Sequence, residues 1–143
     1  MIQQHLQQFQ LPIEAVQWLD MLYGAIQVFD DVADGDPVER EDLDSVIYNT
    51  LVSMPSNPFF VAHASALATA VAMAIFKWQA ADKMERANCA DEKSYMLRAG
   101  YYDIVMLVVS LVHGPVKAAQ NAHHVYAIYG ETCQDYLKEF NHA

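Results

Sequence analysis

The residues best equipped for chemistry in this chain are carboxylates, and they are concentrated. Between positions 30 and 44 stand Asp30, Asp31, Asp34, Asp36, Glu39, Glu41, Asp42 and Asp44 against Arg40 alone, a net charge of −7 in fifteen residues, while the other 128 carry −3. Hard cations such as Mg²⁺ take oxygen ligands and keep several waters, so two or three carboxylates on adjacent helical turns can hold one beside a phosphate. Asp30 and Asp34 are spaced i,i+4 and Asp31 and Asp34 i,i+3, both neighbouring-turn spacings on a helix. Asp30, Asp31 and Asp34 are therefore the candidate metal ligands, with Mg²⁺ the candidate cofactor. Three carboxylates so close repel one another, and either a divalent ion or a basic partner would relieve that repulsion. Plainer uses exist for most of them: Asp34 at a helix end, Asp36 as an N-cap, Asp31 facing water. Asp30 lies off the polar seam, on the flank with Leu19, Tyr23 and Ile26, and these uses do not account for it.

The segment Ala25-Ile26-Gln27-Val28-Phe29-Asp30-Asp31-Val32-Ala33-Asp34-Gly35-Asp36 resembles the aspartate-rich DDxxD segment of trans-isoprenyl diphosphate synthases, including the Gln three residues before the first Asp and the Gly-Asp that follows. In that family the first and last aspartates bind Mg²⁺ ions that grip a diphosphate inside an all-helical fold. The resemblance thus implies ligand roles for Asp30 and Asp34, with Asp31 in support. The family pattern also calls for a longer chain, a second facing motif and basic phosphate ligands. Here there is one motif, Arg40 is nearby, and Lys77, Lys83, Arg86, Lys93 and Arg98 follow later. Two motifs could meet only in a homodimer. The wider run from Trp18, of the form WxDxxYxxxQxFDDxxDGD, resembles small acidic proteins encoded by tailed bacteriophages, a likeness that implies no activity.

Other constellations are thinner. Glu39xxAsp42 and Asp82xxGlu85 are similar to the carboxylate pairs of all-α nucleotide pyrophosphohydrolases, and read more simply as solvent-facing charge. Glu139xxHis142 has di-iron spacing but occurs once, whereas such sites draw ligands from several helices. His123 and His124 project about 100° apart on a helix, and His113 beside Gly114 reads as a helix end. No Ser or Cys has a base and an orienting group in a recognisable set. Tyr95, Tyr101 and Tyr102, with Met96 and Met106, read as core and interface.

The elements that must position these residues are helical. With 143 residues, 54% apolar and 18% charged side chains, the chain can bury a core as one globular domain. Period-two runs of β-branched residues are nearly absent, so the expected fold is all-α, a single-domain antiparallel bundle of about five main helices. After a short N-terminal turn, the long first helix spans residues 12–34 and stops at Gly35. Asp36-Pro37-Val38-Glu39 reads as a cap that opens a second helix ending near residues 54–55. Asn57-Pro58 opens a third helix to about residue 86. A fourth runs over residues 91–113, and a fifth over 115–140. On the first helix, Leu11, Ala15, Trp18, Leu22, Ala25, Phe29 and Val32 form one stripe, widened on both sides, which predicts burial over most of its circumference. Residues 59–76 are uncharged and alanine-rich, and are expected to form a buried central helix rather than a membrane span.

The net charge of −10 excludes the basic footprint of nucleic-acid binding. Cys89 and Cys133 form no CxxC pair, and the N-terminal segment lacks the pattern of a signal peptide, so a cytoplasmic location is expected. The favoured reading is a small acidic all-α accessory or interaction protein whose aspartate corner meets a basic protein partner or a divalent cation. The alternative is a Mg²⁺-dependent enzyme or binder of a diphosphate ester. Apolar surface on the first and third helices further predicts a homodimer.

Overall fold

The structure, a computed structural model, describes residues 2–140, and every regular element among them is helical. The chain packs as two compact units, residues 1–64 and 65–143.

In the first unit, α1 (Ile2–Leu6) and a 3₁₀ turn (Gln7–Phe9) bury Ile2, Leu6 and Phe9 and pack on α2 (Ile13–Asp34). Pro12 stands at the N-cap of α2, where a missing N–H costs nothing. Gly35 ends the helix with φ 76°, a conformation that a Cβ disfavours. Its N–H donates to Val32 O (3.2 Å) and that of Asp36 donates to Asp31 O (2.9 Å), the two bonds of a Schellman motif. Ala15, Trp18, Leu22 and Ala25 of the expected stripe are buried, and Trp18 stacks on Phe60 at 5.7 Å. The stripe then outruns its cover: Phe29 and Val32 are 52% and 59% exposed.

The chain returns along α2 as α3 (Arg40–Tyr48), a π-helical turn (Asn49–Ser53) and α4 (Met54–Ser56). The expected cap at Asp36 does not form: residues 36–39 lie outside any helix, and α3 starts from Glu39, whose backbone is extended. Val38 offers the reason: half-buried, it packs against Ala25, Val28 and Val46, and that burial offsets the roughly 1 kcal/mol of a typical cap. The π turn has a similar logic. Pro55 offers no N–H and crowds the carbonyl four residues before it, and the ladder widens so that Met54 N–H donates to Asn49 O. The extra residue brings Met54, eight positions after Val46, back to the buried side two turns on.

Asn57 then opens α5 (Pro58–Ala62), its side-chain oxygen accepting from the N–H groups of Phe59 (2.9 Å) and Phe60 (3.1 Å) while its Nδ2 donates to Glu14 O (3.0 Å). The expected third helix is broken at His63, which leaves the helical region at ψ 25° and packs on Phe59.

The second unit comprises α6 (Ala64–Arg86, from the last residue of the first unit), α7 (Glu92–Leu97), α8 (Gly100–His113), α9 (Pro115–Tyr126) and α10 (Cys133–Phe140). Gly100 restarts the expected fourth helix where α8 meets α6, since a Cβ there would lie 3.0 Å from Ala74. Ile104, Val105, Val108 and Val109 of α8 are fully buried. The expected fifth helix divides too: Gly130 falls in the break, and Thr132 Oγ1 accepts from Asp135 N–H (3.1 Å) at the start of α10. The alanine-rich α6 departs most from expectation. It is long and apolar enough to cross a membrane by length and composition, yet buries only Leu67 and Ala81, leaving Met73, Ile75 and Phe76 exposed.

Candidate functional site

The aspartate corner forms where α2 ends and the link to α3 begins. Asp30 and Asp31 are half-buried on the last turns of α2, Asp34 is exposed at its end, and Asp36, Glu39, Glu41, Asp42 and Asp44 are exposed beyond it. The Schellman closure fixes the helix end by backbone bonds, so the carboxylates are not needed to stop the helix. Among the described residues, no group of three or more His, Cys, Asp or Glu side chains is arranged to hold a metal ion; Asp30, Asp31 and Asp34 share the end of one helix. Arg40, the one lysine or arginine in the sequence of residues 1–64, pairs with Asp44 (3.1 Å) four residues on. A cavity of about 420 Å³ in this unit is lined by Gln3, Gln17, Asp20, Ser53, Ser56 and Asn57, with Met21 and Pro58, and thus by neither a base nor any of the three aspartates.

The bases of the second unit are drawn to its own carboxylates. Lys77 Nζ meets Asp103 Oδ2 at 2.6 Å, and the Tyr126 hydroxyl donates to Asp103 Oδ1 at 2.7 Å, so one carboxylate ties α6, α8 and α9. Arg86 pairs with Asp82 (2.9 Å) and Arg98 with Glu85 (3.5 Å). Lys83 and Lys93 are exposed.

Glu85 corrects the solvent-facing reading of Asp82xxGlu85: its side chain is only 7% exposed. The Tyr136 hydroxyl lies 2.7 Å from Glu85 Oε2 and 2.6 Å from Ser94 Oγ. A phenol has one proton, and the carboxylate is the stronger acceptor, so Tyr136 donates to Glu85 while Ser94 faces the phenol oxygen. Ser94 is placed by the capping box it forms with Asp91 at the start of α7. The Arg98 guanidinium stands 5.9 Å from the rings of both Tyr136 and Phe140. Burial, opposed by the Ser94 hydrogen bond and reinforced by Glu85, pushes the Tyr136 phenol up to about 12. Burial and then Asp103 push Tyr126 up to about 12, and burial raises Tyr129 as well. With its polar atoms satisfied from within the unit, this cluster acts as a latch that fastens α10 to α6 and α7. The capping box was readable as Asp91-x-x-Ser94, whereas nothing local in the sequence marks Tyr136 as the group that reaches Glu85.

Of the minor constellations, Glu39 and Asp42 are exposed, and His123 and His124 are exposed with ring centroids 3.9 Å apart. His142, and with it the Glu139xxHis142 pair, lies outside the described residues. No protein-family model, curated protein or solved structure matches the chain.

Proposed function

We propose that this is a small acidic all-α interaction protein that docks a basic protein partner at the aspartate-rich end of its first unit. Segregation of charge carries this reading. Residues 1–64 hold ten acidic side chains against Arg40 alone, a net −9, whereas residues 65–143 hold eight against seven, a net −1. Asp36, Glu39, Glu41 and Asp42 are exposed, so the corner presents a net negative field, which steers basic partners and speeds their encounter. The competing reading, Mg²⁺-dependent chemistry on a diphosphate ester, needs a cavity beside Asp30 with lysine or arginine in its wall; the cavity lined by Gln3, Gln17 and Asp20 is not of that kind. The test is binding of a lysine-rich peptide by fluorescence anisotropy. Affinity should fall steeply as salt rises from about 0.05 to about 0.5 M, because screening shortens the reach of exposed charge to a few ångströms. Salt-independent binding would contradict it.

Self-association through the outward side of α6 belongs to the same reading. Residues 64–81 carry no acidic side chain, so two copies can meet there without repulsion while Met73, Ile75 and Phe76 lose water. A bilayer suits this helix less well, because Lys77 and its partner Asp103 would be carried toward the hydrocarbon. Light scattering should find a dimer at micromolar concentration, and a monomer would remove this part. We place the protein in the cytoplasm, where its free thiols Cys89 and Cys133 stay reduced.

A further inference from the structure

Beside the acidic corner, the first unit leaves apolar side chains in water along the direction of α3. Leu43 and Ile47 follow one another at i,i+4, and the residue added by the π turn carries Leu51 back toward their line. All three are exposed, Leu51 at 73%. α3 lies antiparallel to α2: Val46 packs against Ala25 and Val28, and further back Asn57 bonds to Glu14. The open end of the α2 stripe, Phe29 and Val32, therefore lies toward the start of α3. An uncovered apolar row is thus accompanied at one end by Asp36, Glu39, Glu41 and Asp42, all exposed.

A row of large apolar side chains at helical spacing accepts the apolar face of another helix, by the i, i+3, i+4, i+7 logic of helix-in-groove recognition. Charge selects which helix. A second copy of this chain would bring its own −9 unit against this one, and an acidic or neutral helix would leave the carboxylates uncompensated. A cationic amphipathic helix satisfies both requirements, burying apolar residues on the row and placing lysines or arginines against the carboxylates.

Resting on the proposal of a basic partner, we infer that the occupant of the Leu43–Ile47–Leu51 row is a basic amphipathic helix, recognised by its apolar face as well as by its charge. The experiment uses two fluorescent peptides of identical composition, about eighteen residues of lysine and leucine, one with the leucines on a single helical face and one scrambled to disperse them. The full-length protein should bind the amphipathic peptide about tenfold or more tightly than the scrambled one, with the peptide turning helical by circular dichroism. Ile47→Ser combined with Leu51→Ser should abolish that preference and leave affinity for the scrambled peptide unchanged. Both positions are exposed, so the fold should survive, as a thermal melt will verify; Phe29→Ser supplies an independent variant at the other end of the surface. Equal affinity for the two peptides would overturn the inference while leaving charge-driven docking intact. Binding of neither peptide at low salt would overturn both. A protein dimer that the double serine variant dissociates would assign the row to a second copy and also overturn the inference.

Discussion

The two units put the same side chain to opposite uses. In residues 65–143 carboxylates act as fasteners: Asp103 joins α6, α8 and α9, and Glu85 receives both Tyr136 and Arg98. In residues 1–64 most stand in water around the end of α2, facing a single arginine that pairs locally. Removing one partner of a buried, paired carboxylate such as Glu85 leaves the other charge orphaned and destabilises the fold. An exposed cluster contributes little to stability and much to the field that a partner meets. Stability and recognition are thereby divided between the units, and substitutions can test the division.

The largest expected effect is in the second unit. Glu85→Ala strands Arg98 and the Tyr136 hydroxyl in a largely buried setting, and chemical denaturation should register a loss of about 3 kcal/mol. A change under 1 kcal/mol would show that the latch does not hold α10.

Next in size is Asn57→Ala in the first unit, which removes two cap bonds and the bond to Glu14 O. It should cost about 2 kcal/mol, while Asn57→Asp, which keeps the cap but not the donor, should cost less.

Tyrosines of the second unit give a pH signature. Tyr126 and Tyr136 are raised to about 12 when folded, and Tyr129 is raised as well, against 10.0 as the ordinary value. Raised folded values mean that the unfolded chain releases its phenol protons first. Their contribution to stability is complete below pH 10 and is lost as pH rises toward about 12. Alkaline unfolding should therefore begin near pH 10, and phenolate absorbance should rise with the unfolding transition. Complete titration of all eight tyrosines near pH 10 in the folded protein would contradict this.

Smallest is the expected response of the corner to metal. Melts with EDTA and with millimolar Mg²⁺ should differ little, since a pair of largely hydrated carboxylates holds Mg²⁺ only weakly. A rise in Tm that Asp31→Asn abolishes would instead add a cation to the site, with about 2.7 kcal/mol gained at a hundredfold excess over Kd.

Much of the helical frame was legible because its punctuation is local. Gly35, Asn57-Pro58, Asp91 and Gly114-Pro115 all mark helix ends through backbone geometry or a neighbouring side chain. Features set by distant contacts were not legible. Val38 keeps residues 36–39 out of the helix because it packs on α2, and Glu85 is buried because Tyr136 and Arg98 reach it from two other segments. Periodicity identified the apolar stripe of α2, and composition suggested burial of α6, but neither could show where cover stops, since that depends on where neighbouring helices begin and end. The charge of the corner was fully readable, being a matter of composition. Its alignment with an uncovered apolar row required the return path of α3 and its π turn.

The most direct test of the division is to neutralise the corner without touching the fold. Asp36→Asn, Glu39→Gln, Glu41→Gln and Asp42→Asn combined remove four exposed charges. At low salt, the affinity for a lysine-rich peptide should fall about tenfold or more, with stability changed by no more than about 0.5 kcal/mol. Unchanged affinity in the folded quadruple variant would contradict the account.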